Sequence, residues 1–353
     1  MSKYSPLKIT LGCLLAVGLA FFSPYALAFG IAPGIMIVPV VICFLMAWSG
    51  PASAALATVG VLAMGLRVGG LFFGALCLVT EILPAWGSIQ LLRKRVSMPR
   101  LVGYSMLLQL SANLLGVILL RLRLGPDMIG YALTLFRQGV EQLPALYVDS
   151  ILRLQYQMGL FGNASGVDIT RAILTVEDRA TLLDSWFQYM DAGLRVTLPS
   201  SVLNSAALSG LIMAALPSWI CARRGDTPQV SYMGIHQWNL PVQATKGLLF
   251  CLLVSAVLYF MGINESIALV NASLQLANLG FTIQGMASLS RMMRTHGMRP
   301  GTRVLALVLL VLLARMVLVA LGLVDSLMGP KGLFMDMARK RMDKDNNRED
   351  DER

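Results

Sequence analysis

Apolar residues run along this chain in blocks long enough to cross a bilayer. A helix rising about 1.5 Å per residue needs roughly 17–25 apolar residues to span the hydrocarbon core. Runs of that grade predict helices at about 8–29, 33–48, 52–67, 69–92, 101–120, 199–221, 246–263, 266–290 and 303–324. The second and third are short and meet at Ser49-Gly50-Pro51, which suits a tilted or re-entrant pair. The expected fold class is all-α, a polytopic transmembrane helical bundle of 8–9 spans.

Between Gly125 and Pro199 the pattern changes. A helical periodicity runs from Met128 to about Met158, the turn-like Gly162–Gly166 follows, and a second helix is expected to start near Thr175. Asp178 stands three residues after Thr175, the spacing of a capping box. Leu182, Leu183, Trp186 and Met190, with Tyr189 nearby, make one apolar face, suited either to lying on a membrane surface or to packing on the spans. Five Arg against eight acids and no Lys give this stretch a net charge of −3, a balance that belongs outside the cytoplasm. Residues 125–198 therefore read as an amphipathic extracytoplasmic helical insertion in a single transmembrane domain, 1–330. The charged tail, 331–353, has no core residues and is expected to be disordered.

Composition sharpens the class. The 353 residues are 56% hydrophobic and 14% charged, and the mean hydropathy is +0.68, values of a membrane protein. A net charge of +10 could point to nucleic acid. The basic residues instead gather beside apolar runs, at Arg93, Lys94, Arg95 and Arg100, at Arg223 and Arg224, and at Arg291, Arg294, Arg299 and Arg303, as in short cytoplasmic loops. The clusters lie two spans apart, on one side, so the chain reads as multi-pass in a bacterial cytoplasmic membrane with the lipid bilayer as its first partner. The same count puts the tail outside, although Ala338–Arg341 has a cytoplasmic look; a re-entrant segment would reconcile the two. The N-terminus, with Lys3, Lys8 and Ala26-Leu27-Ala28, has the outline of a signal peptide, but the spans that follow favour a retained first helix. Five cysteines without CxxC or Cys/His spacing imply no disulfide framework, metal or cofactor.

The chemistry lies in polar residues placed inside apolar runs. At about 100° per residue, Asn271, Gln275, Asn278, Thr282 and Gly285 form one narrow stripe, while Gln284 points elsewhere. Carboxamides do not face lipid without loss, so the stripe either bonds to neighbouring helices or lines a polar cavity. Gln109 and Asn113, spaced i, i+4, and Asn204 are the expected partners of the stripe. Glu81 and Arg315 lie near mid-span, where each charge costs at least about 2.5–3.5 kcal/mol, so they are expected to approach each other or a shared wet cavity. Pro84 frees a carbonyl one turn away. In the first helix Gly12, Ala16 and Ala20 form a small-residue face for close packing, internal or with a partner helix.

The order of features resembles the YybS-like family of bacterial multi-spanning membrane proteins, whose function is unknown. The likeness rests on Leu198–Arg224, on His236–Pro241, on Asn271 with Gln284-Gly285, and on Leu321–Asp325. That family is distantly similar to the substrate-binding components of energy-coupling-factor transporters. The resemblance implies a small-molecule site near the outer face and a transmembrane coupling subunit docked on the face of Gly12, Ala16 and Ala20.

Two functions follow. One is the binding or translocation of a small polar molecule, neutral or zwitterionic, by Glu81, Gln109, Asn113, Asn271, Gln275, Asn278 and Arg315. The alternative is a non-enzymatic scaffold or regulator in envelope assembly, alone or as a homo-oligomer. The sequence carries no HExxH, GxSxG or Walker motif, so no enzyme is expected and energy would come from a partner or an ion gradient.

Overall fold

The computed structural model describes residues 5–31, 36–94, 96–157, 174–223, 238–240, 242–263 and 266–328. His236, Pro241, Arg95, Arg224 and the tail fall outside them. Every regular element among the described residues is helical: α1 (Pro6–Ile31), α2 (Ile37–Trp48), α3 (Pro51–Cys77), a π-turn (Leu78–Ile82), α4 (Leu83–Arg93), α5 (Met98–Leu124), α6 (Met128–Glu141), α7 (Ala145–Gln157), α8 (Val176–Arg223), α9 (Val242–Phe260), α10 (Ser266–Thr295), α11 (Pro300–Leu313) and α12 (Arg315–Leu327).

Alongside an apolar core that includes Ile42, Leu45, Leu76 and Leu101, many small polar residues are buried and many large apolar ones exposed. Ser49, Ser53, Ser88, Ser105, Ser205, Ser209, Ser218 and Ser288 are buried, whereas Phe21, Phe22, Leu71, Leu122, Phe250, Leu253 and Phe260 are exposed. In α9 the buried side chains are Thr245 and Ser255. Lipid solvates Leu and Phe as well as a protein core does, so large apolar side chains can stay outside while small and polar ones share the inside, where they allow close approach or find hydrogen bonds.

By length and composition six described helices can cross a membrane, or seven if the bent pair α11–α12, which turns by 103°, counts as one span. One of the six, Pro51–Arg93, is a hairpin. Gly69 and Gly70 leave helical geometry, Gly70 with φ +66°. A Cβ on Gly65 would lie 3.4 Å from the Cα of Gly74, although nine residues of straight helix would separate them by about 13.5 Å. The chain has reversed there, as the two runs 52–67 and 69–92 anticipate. The run 33–48 yields only the twelve residues of α2.

Small residues set the helix contacts. Gly12 abuts Ser49 and Ser53, Ala16 is wholly buried, and Gly60 packs on Ala20. The small-residue face of α1 is thus filled by the α2–α3 segment of this chain, and is not open to a partner helix as the resemblance implied. α10 and α12 touch backbone to backbone: a Cβ on Gly285 would collide with the carbonyl of Leu318, and one on Gly322 with that of Phe281.

The chain divides into two compact units. Leu114–Pro199 forms the second, and its core joins Leu133 and Val140 of α6, Val148 and Leu152 of α7, and Leu182, Leu183, Trp186 and Phe187 of α8, with Met190 against them. The apolar face of α8 therefore closes the core of this unit by packing on α6 and α7, while Tyr189 stays exposed. The α8 start is as expected: Thr175 Oγ1 accepts from the Asp178 N–H at 3.1 Å and donates to the Asp178 carboxylate at 2.7 Å. Arg179 grips Asp149 at two points, 2.6 and 3.1 Å, and the Leu174 N–H adds a third bond. Those Arg179 hydrogen bonds hold the Asp149 carboxyl below the usual range.

Candidate functional site

The other unit, residues 1–113 and 200–353, contains a cavity of about 500 Å³, well inside the roughly 300–1,000 Å³ of small-molecule sites. Its walls come from α5 (Met98, Val102, Gly103, Met106), α8 (Ala207, Leu211), α9 (Ala244, Leu248), α10 (Leu276, Leu279, Gly280, Ile283) and the segment Trp238–Leu240. Its carboxamides are Asn239 and Gln284. Gly210 places α8 directly on the backbone of Ser105 and Met106, while Gly103 and Gly280 leave the cavity its width.

Gln284 anchors one end. Its Oε1 accepts from the Leu240 N–H at 2.7 Å, and its Nε2 donates to Asn239 Oδ1 at 3.0 Å and to Asp325 Oδ2 at 2.6 Å. Ser288 Oγ also donates to that carboxylate oxygen, and Arg291 Nη2 pairs with it at 2.6 Å. Arg291 Nη1 donates to the Trp238 carbonyl at 2.9 Å. Gln284, Ser288 and Arg291 recur at i, i+4 and i+7, one stripe of α10. Asp325 reaches them because Gly285 and Gly322 bring α12 against α10. Asp325 is buried at 5% exposure and Arg291 partly buried at 22%. The net effect of the pair is to fix which helices meet and to pin the Trp238–Leu240 wall.

The expected site residues are divided among other places. Asn271 Nδ2 donates to Ser200 Oγ at 3.3 Å, Gln275 Nε2 to Asn271 Oδ1 at 3.4 Å, and the Asn278 carbonyl accepts from Thr282. The three carboxamides are half-buried, and none of them lines the cavity. The hollow lies beside a different stripe of α10, where Gln284 points. Gln109 and Asn113 bond to each other at 2.8 Å, and Asn113 reaches Val202 and Ser205 of α8; their partners are therefore not the Asn271 stripe. Among the described residues Glu81 and Arg315 make no ion pair. Arg315 is exposed at the α11–α12 break, and Glu81 is buried among α2, α3 and α4. The break tips α12 away from the direction of α11, so a position that is mid-span in sequence becomes a helix end.

Pro84 explains one contact. It has no N–H for the Thr80 carbonyl four residues back, and Gln109 Nε2 donates to that carbonyl at 3.1 Å.

Residues 14–326 match the family model described as a predicted membrane protein, DUF2232. The chain belongs to that family. The DUF2232 match spans both units, and it carries neither the YybS-like name nor the likeness to energy-coupling-factor components. No curated protein and no solved structure matches the chain. Two signals in the sequence pointed at this candidate site without defining it: Asp325 at the end of the last apolar run, and Gln284 off the amide stripe.

Proposed function

We propose that this membrane protein binds a small, largely apolar molecule in the cavity between α5, α8, α9 and α10. The observation that carries the reading is a hollow of about 500 Å³ walled by Met, Leu, Val, Ile and Gly, with amides at one end. A polar or zwitterionic ligand would leave its hydrogen-bonding groups unmatched along such walls, at about 1–3 kcal/mol each by mutational scales. The favoured ligand therefore has an apolar body and one polar end directed at Asn239, since Gln284 is already engaged by Leu240, Asn239 and Asp325. Binding, with or without translocation, fits a bilayer protein whose ligand enters from the lipid phase.

The scaffold reading draws support from the amide stripe, because Asn271, Gln275, Gln109 and Asn113 all bond within the protein. It explains those residues and leaves the cavity without a role. The test is to purify wild type and Gly103→Phe, extract each, and identify small molecules by mass spectrometry. An added Cβ at Gly103 meets open space and Gly103 lines the hollow, so Phe there takes up room that a ligand would need. An apolar compound stoichiometric in wild type and missing from the variant supports binding; equal recovery from both supports the scaffold.

A further inference from the structure

Glu81 sits in the π-turn between α3 and α4, where the Leu83 N–H bonds back to Leu78. Its side chain is 2% exposed, and Oε2 has no hydrogen-bond partner. Gln109 of α5 is wholly buried, its Nε2 plugging the Thr80 carbonyl, the residue preceding Glu81, and its Oε1 also has no donor. Two buried acceptor oxygens, one on Glu81 and one on the residue that bonds the carbonyl just before it, therefore lack a donor. The Ser88 and Ser105 hydroxyls on α4 and α5 are buried and unmatched as well. No described Lys, Arg or His pairs with Glu81; the titratable groups nearby are Cys77, one turn earlier, and Cys43 of α2, whose thiol donates to the Ala85 carbonyl. An isolated carboxylate in such surroundings is far more costly than a neutralised one. π-Turns inside helices recur at functional positions.

We propose that Glu81 and Gln109 form a small-cation site inside the membrane, taking H+ or Na+. A proton on Glu81 replaces a buried charge with a neutral acid and turns an orphan acceptor into an O–H donor, the kind of group that Gln109 Oε1 lacks. A sodium ion supplies the same positive charge to the Glu81 carboxylate. The site lies apart from the apolar cavity, whose lining includes neither residue, so it would couple an ion to the bundle and not contact the ligand.

The test uses full-length protein in lipid, with infrared difference spectra of wild type and Glu81→Gln at pH about 7, well above the ordinary Glu value of about 4.3. Each is measured in sodium-free and in sodium buffer. A neutral-carboxyl C=O band present in wild type and missing from Glu81→Gln establishes the proton form. Loss of that band on adding Na+ at constant pH assigns the site to sodium as well. Labelling of wild-type Glu81 by an apolar carbodiimide, mapped by peptide mass spectrometry, supplies the same answer without a variant. No Glu81-dependent band in either buffer, together with no carbodiimide adduct at Glu81, overturns the proposal.

Discussion

Replacing Asp325 with Ala removes the acceptor shared by Gln284, Ser288 and Arg291. Gln284 keeps Asn239 and Leu240, and Arg291 keeps the Trp238 carbonyl and Ser288 Oγ but loses the Asp325 carboxylate. Breaking a buried pair by removing one member costs about 3–5 kcal/mol. Arg291 is 22% exposed, which places the cost near the lower end, about 3 kcal/mol, or roughly a hundredfold in the folding equilibrium. Asp325→Asn keeps an acceptor oxygen and should cost about half as much. The double variant Arg291→Met, Asp325→Leu removes both charges, and a buried pair so replaced is often neutral or better. It should recover most of the loss. The assay is reversible unfolding in mixed micelles followed by far-UV circular dichroism. A loss below about 1 kcal/mol for Asp325→Ala, or a double variant as unstable as the sum of the singles, would refute the reasoning.

Gly322→Ala sets a methyl against the Phe281 carbonyl, and backbone cannot step aside as a side chain can; a loss at the upper end of the ~1–3 kcal/mol for overpacking is expected in the same unfolding assay. Gly103→Leu faces open space in a helix and should leave stability unchanged or raise it by up to about 1 kcal/mol while abolishing stabilisation by an apolar ligand, read by thermal shift. In the Leu114–Pro199 unit, Arg179 holds Asp149 below its ordinary value, so this contribution is complete above a pH of about 4 and disappears as pH falls through the lower, folded value. Acid-dependent hydrogen exchange in α7 should show that loss in wild type, whereas Asp149→Asn should be weakened already at neutral pH and lack the transition.

Membrane class and helical architecture were legible because lipid demands long apolar runs, and nothing else in 353 residues needs them. The Thr175–Asp178 cap was legible because both partners lie within one turn. So was the carbonyl freed by Pro84, though not that Gln109 would take it, because that bond crosses between helices. A helical wheel places Gln284 off the amide stripe but cannot say which side of α10 faces a hollow. That depends on Gly103, Gly210 and Gly280 setting the distances to neighbouring helices. Arg291 was misjudged for a related reason. Counted among loop charges, it lies four residues before the end of α10 at Thr295 and turns inward to Asp325. The apolar face at Trp186 gave its own direction but not its partner, since a membrane surface and the α6–α7 pair are equally apolar.

Trp238 lines the cavity, which makes its fluorescence the most direct measure of whether an apolar molecule enters. Titrating the protein in lipid with a brominated alkyl amphiphile should give a saturable quenching component in wild type that Gly103→Phe and Trp238→Phe each remove. Quenching that rises linearly without saturation, identical in wild type and Gly103→Phe, would contradict the account.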